Sequence, residues 1–237
     1  EILVAESRWK DYAQLMSTLT TDARATVAEH KNLALVSLHL GDLAAWKMAA
    51  QSAFRALGPS STKNNLFVAA IAARCAPAAM EDYAPLLDRL EKAVKEDPAN
   101  YGSTASPGAI LYRMGRYVEA EKRLEPSVKN NNRFGQIFMA MTLAKLGRIE
   151  EAKAMLKLAE DWAKAEPPLR TAPSNLQNQE WNFIMEYKIL IKEALSLPGM
   201  SESPNVLLDL IAGRPQAAAQ AIPPSSICLP AILRRTP

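Results

Sequence analysis

The 237-residue chain is poor in several things at once. It has two cysteines, Cys75 and Cys228, far apart in the chain. Two such residues make no disulfide framework, and they read as reduced thiols in a cytoplasm-like compartment. It has two histidines, His30 and His39, which leave little material for a metal site. Aromatic residues are 6% and glycines number nine. β-branched runs are rare, which disfavours all-β and parallel α/β folds. No stretch of 18 apolar residues exists, so no segment reads as a membrane span.

What is present is ordinary for a folded soluble domain. Apolar residues make up 49% and charged residues 22%. Ala, Leu, Lys and Glu dominate, and helix propensity is high nearly everywhere. Twenty-eight Lys and Arg face 25 Asp and Glu, a net charge of +3. So small a charge points neither toward nor away from nucleic acid. The basic residues are scattered and not interleaved with aromatics, which disfavours an RNA-binding helical repeat.

Catalytic motifs are missing. There is no G-x-x-x-x-G-K-[ST], no G-x-G-x-x-G, no H-R-D, no D-F-G and no G-x-S-x-G. Glu81-Asp82 and Glu150-Glu151 open helices, where negative charge suits the dipole. Cys75 lies in the Ala-rich run 69–79 and reads as a buried, inert thiol. Met114, Met139, Met141 and Met155 recur at helical spacing and read as core. No cofactor or metal is expected, and an enzyme built from scattered carboxylates is disfavoured.

The organising signal is repetition. Gly115-Arg116-Tyr117-Val118-Glu119-Ala120 runs on to Leu124 and Ser127. Thirty-two residues later Gly147-Arg148-Ile149-Glu150-Glu151-Ala152 runs on to Leu156 and Ala159. Gly41-Asp42-Leu43, Glu81-Asp82-Tyr83 and Ser7-Arg8-Trp9 continue the frame backwards, with turns near residues 7, 41, 81, 115 and 147. A glycine between two helices supplies the left-handed cap that ends the first. Helix pairs too short to bury their own apolar faces must stack. Residues 8–20 read as the second helix of a first pair: either its partner helix lies upstream of Glu1, or this helix caps the stack unpaired. That start, without Met, reads as a fragment of something longer.

The frame resembles the tetratricopeptide repeat (TPR). The match is good for 101–133 and 134–165. It is fair for 27–58, where Trp46 replaces a small residue. It is poor for 67–98, where the turn glycine is missing and Pro77 intervenes. The resemblance implies an all-α solenoid, a right-handed superhelix of antiparallel helix pairs over 1–165. Residues 166–175 read as a Pro-rich linker and 176–197 as a helix closing the end of the stack. Residues 198–237, with seven of the 16 prolines, read as a poorly ordered tail.

The succession from Leu111-Tyr112-Arg113-Met114-Gly115 through Trp162 to Trp181 and Ile191-Lys192-Glu193-Ala194-Leu195 is similar to the C-terminal repeat region of planctomycete-type bacterial serine/threonine protein kinases. It implies a cytoplasmic regulatory or scaffolding segment. In TPR proteins the first helix of each pair lines a concave groove. Carried onto this chain, the partner-facing positions include Lys31, His39, Tyr112, Arg113, Ile137, Met141 and Lys145. Ala105, Ile137, Ala109 and Met141 stand where a carboxylate clamp would need lysines and asparagines. The groove therefore reads as apolar with a few cations, suited to a protein or peptide segment that is apolar or amphipathic and partly acidic. On this reading, changing Arg113 and Lys145 to Glu weakens binding with little loss of fold.

Overall fold

The structure, a computed structural model, describes residues 8–58, 61–77, 79–97, 101–165 and 180–200. Within the described residues all regular structure is helical, as ten helices. These are α1 (Trp9–Leu19), α2 (Val27–His39), α3 (Leu43–Arg55), α4 (Lys63–Arg74), α5 (Ala84–Glu96), α6 (Tyr101–Arg113), α7 (Tyr117–Lys129), α8 (Arg133–Lys145), α9 (Ile149–Ala165) and α10 (Glu180–Ser196).

Helices α2 to α9 form four antiparallel pairs, and the turns explain why. Gly41, Gly115 and Gly147 all have φ between +74° and +80°. Each closes a Schellman motif, in which the amide after the glycine reaches back to a carbonyl five residues earlier. Asp42 N–H donates to Ser37 O at 2.8 Å, Arg116 N–H to Leu111 O at 3.0 Å, and Arg148 N–H to Leu143 O at 2.9 Å. Asn131, at φ 54°, makes the same turn between α7 and α8, with Asn132 N–H donating to Ser127 O at 3.0 Å. Side chains then start the next helix: Thr26 and Glu29 form a capping box on α2, and Asp42, Thr62 and Asn132 cap α3, α4 and α8.

The first helices of the pairs lie side by side, α2 on α4, α4 on α6 and α6 on α8. They form an inner row, and α3, α5, α7 and α9 lie outside it. That is the arrangement of an all-α solenoid. The irregular unit keeps it: α4 and α5 pair across a longer connection, where Tyr83 Oη accepts from Ala79 N–H at 2.9 Å. Trp46 fills the space between α3 and α4, its indole N–H donating to Ala72 O at 3.2 Å.

Two glycines are set by close approach instead of by φ. A Cβ on Gly108 would stand 2.5 Å from Leu124 Cγ, and one on Gly135 would stand 2.2 Å from Ser127 Oγ and 2.9 Å from Ser127 Cβ. Helix α7 is thus clamped between α6 and α8 at distances that only glycine permits.

Helix α10 differs from its expected place. It does not only stack on the last pair; it lies along the inner row and packs on both α2 and α8. The Pro-rich linker 166–175, residues 176–179 and the tail from 201 onward lie outside the described residues.

Gly135→Ala should lower the unfolding free energy by about 1–3 kcal/mol, the usual cost of overpacking. Gly58→Ala, where an added Cβ meets nothing within 4 Å, should change it by less than about 0.5 kcal/mol. Urea denaturation of the two variants checks the contrast.

Candidate functional site

The inner row is built to be covered on both sides. Residues 104–112 of α6 are all buried, and so are residues 134–143 of α8. A helix buried all round needs neighbours all round. The outer helices cover one side, and α10 covers the other.

Helix α10 runs in the same sense as α8. Phe183 near its start lies against Phe134 near the start of α8, ring centroids 4.9 Å apart. Gly199, just past its end, lies against Ile149, just past the end of α8. Its Tyr187 hydroxyl donates to Ala159 O of α9 at 3.0 Å. Toward the other end of the row, Trp181 packs on Trp9 and Tyr12 of α1, at 5.7 and 5.4 Å between centroids. Trp181 and Met185 join a buried cluster with Tyr12, Met16, Leu35, Val36 and Cys75. Leu190, Ile191 and Ala194 are wholly buried.

Two ion pairs cross this interface. Arg74, at the end of α4, and Glu186 are 3% and 4% exposed, with Arg74 Nε donating to Glu186 Oε1 at 2.8 Å. Arg113, at the end of α6, has a side chain 1% exposed. It grips Glu193 with both terminal nitrogens, one of them at 2.6 Å. Burial pushes the Glu186 carboxyl above its usual range, against the pull of Arg74 and Lys31. Burial also pushes the Cys75 thiol well up, so it is unreactive where it lies.

The guanidinium groups are held from the repeat side as well. Arg74 Nη1 donates to Ser106 Oγ of α6 at 3.0 Å, and its Cζ lies 5.2 Å from the centre of the Phe134 ring. Arg113 Nε donates to the Arg74 carbonyl at 2.7 Å, and its Cζ stands 5.3 and 5.6 Å from the Tyr112 and Phe138 rings. Both cations are positioned by the inner row, with α10 completing their coordination.

The groove positions expected from the repeat frame fall in three states. Tyr112, Ile137 and Met141 are buried. Lys31 and Arg113 are buried cations facing the carboxylates of α10. His39 and Lys145 are exposed at the rim. The His39 ring stands edge-on to Trp9 at 5.5 Å, and its pKa is lowered by partial burial and then by Lys188 and Lys192 of α10. With α10 seated, Arg113 is no surface residue. Arg113→Glu would set a carboxylate against Glu193, so the expectation that this change spares the fold does not survive the structure. Arg74 was not among the expected positions, because it ends its helix in the unit whose repeat pattern is weakest. Glu186 and Glu193 carried a readable signal: two carboxylates seven apart, on a stripe with Phe183 and Leu190.

No family model matches the chain, and no curated protein matches it. Among solved structures, a chain of MamA from AMB-1, in a P212121 crystal form, is similar over 68% of this chain and 94% of its own. The identity is 19% and the TM-score 0.42. A MamA mutant is similar over 66% of this chain and 90% of its own, at 19% identity and a TM-score of 0.38. At that level neither bears on what this chain does, and its repeat fold stands on its own helix pairs and turns.

Lys31 offers a test of the groove's dryness. Burial pulls its pKa from 10.5 down to about 8, while Glu186 and then Cys75 pull the other way. The folded value lies below the unfolded one, so the unfolded chain holds the extra proton between those values. Stability from this group therefore rises as pH rises through that window. The unfolding free energy of the wild type, minus that of Lys31→Met, should increase by about 2 kcal/mol between about pH 7 and about pH 9.5. Equilibrium urea denaturation at each pH measures it, and a flat difference would mean a solvated ammonium.

Proposed function

We propose that this chain is a protein–protein interaction and scaffolding module that binds a helical segment in its inner groove. One observation carries the reading: the inner row already holds a helix there, with aromatic contacts at one end and two carboxylate–guanidinium pairs along it. Holding an amphipathic helix in an apolar trough is a recurring mode of peptide recognition. Among the described residues no helix is long and apolar enough to cross a membrane.

The wider setting belongs to the same proposal. The module would be the cytoplasmic regulatory segment of a larger bacterial signalling protein of the serine/threonine kinase-associated kind, with no catalysis of its own. Support comes from the succession of motifs between Leu111 and Leu195 and from the lack of H-R-D and D-F-G in the sequence. An open reading frame upstream that encodes a kinase domain is the expected finding; a stop codon immediately upstream retires the setting and leaves the module.

Site-specific photo-cross-linking in the parent cell tests the groove. A photoreactive residue at rim position His39 or Lys145 should trap a protein, whereas one at Lys122 on the outer helix α7 should not. Equal trapping at both faces, or none at the rim, overturns the assignment.

A further inference from the structure

The inner groove carries a built receptor for two carboxylates, and the argument starts from what holds each cation. Arg74 keeps Ser106 and the Phe134 ring without any help from α10. Arg113 keeps the Arg74 carbonyl and the Tyr112 and Phe138 rings. Both side chains are almost wholly buried, so both need a counter-charge whenever the groove is covered. Glu186 and Glu193 supply it from one face of one helix. Residues seven apart on a helix are two turns apart, about 10 Å along its axis. The receptor therefore reads spacing as well as charge.

We infer that α10 is an intramolecular occupant of a recognition site for acidic amphipathic helices, and that an external helix competes for the site when it carries two carboxylates seven residues apart and an aromatic side chain five residues before the first. The inference rests on the interaction-module reading and names the chemistry of the partner. Desolvating two ion pairs offsets much of their mutual attraction, so the pairs contribute more to selectivity than to net hold. A helix bringing the same charges replaces α10 at little cost. A helix lacking them leaves two guanidinium groups buried without a counter-charge, and the groove rejects it.

The test uses the full chain carrying Cys228→Ser, which leaves Cys75 as its thiol. Cys75 is 1% exposed and packs with Trp181 and Met185, so its labelling by a maleimide reports whether α10 is seated. The probe is a fluorescein-tagged synthetic peptide of residues 180–200. Glu186→Gln/Glu193→Gln in the chain should loosen α10 and raise the Cys75 labelling rate at least ten-fold. The same variant should bind the peptide at least ten-fold more tightly than the Cys228→Ser parent, and saturating peptide should return labelling to the parental rate. A peptide with Gln at both positions should bind at least ten-fold more weakly.

Equal peptide affinity for variant and parent overturns the inference, as does a Gln peptide that binds as well as the Glu peptide. Assembly into dimers by exchange of α10, seen by sedimentation, also overturns it by making a second copy the occupant. If the double variant loses its helical circular dichroism, Glu193→Gln alone is judged by the same criteria, since that carboxylate is 20% exposed and better tolerated. Rim cross-links in the cell with no peptide binding retire this inference alone. Peptide binding with no rim cross-links retires the interaction-module reading and leaves the groove chemistry.

Discussion

Arg74 cannot be buried without Glu186. A guanidinium that is 3% exposed needs a counter-charge in the same dry space, and its carboxylate comes from a residue 112 positions later in the chain. Once that pair forms, the place of α10 is largely determined. Glu193 then falls on Arg113, Trp181 falls on Trp9 and Tyr12, and Phe183 falls on Phe134. Lys31 is buried beside the same pair, and burial lowers its pKa against the pull of Glu186.

A repeat solenoid is normally a nearest-neighbour object, each unit touching the units beside it. Here α10 touches α2 in the first described pair and α8 in the last. That link joins residues that stacking alone would leave apart, and it couples the stability of the first repeat to that of the fourth. It also explains the composition of the inner helices. Residues 134–143 can be buried without exception only because something covers the face that a solenoid usually leaves open.

Much of the fold was readable from local signals. Gly41, Gly115 and Gly147 mark helix-to-helix turns in the sequence because a left-handed residue is needed there, and each has positive φ in the structure. Asn131 performs the same task with a side chain, so a search for glycine passes over it. Gly108 and Gly135 have ordinary φ; their need is a close neighbour on α7, which no local pattern reveals. The expectation that Tyr112, Arg113, Ile137 and Met141 face a partner came from the repeat frame. That Arg113 is met by a helix of the same chain did not, because the ion pairs that seat α10 span 112 and 80 residues. Residue type could hint at it only through Glu186 and Glu193, two acids on one stripe with Phe183 and Leu190.

The two buried pairs also settle why a helix seated among apolar side chains has one register. An apolar helix in an apolar trough can slide by three or four residues and bury nearly the same area, since side chains at those spacings share a face. Sliding α10 by one turn would carry Glu186 off Arg74 and Glu193 off Arg113 together, because both acids sit on one helix. It would also withdraw Tyr187 from Ala159 and Trp181 from Tyr12. Each alternative register thus leaves two buried guanidinium groups and the buried Glu186 carboxylate without their counter-charges, a cost that no regained apolar contact offsets. Apolar burial holds the helix in the groove, and charge chooses where along the groove it stops.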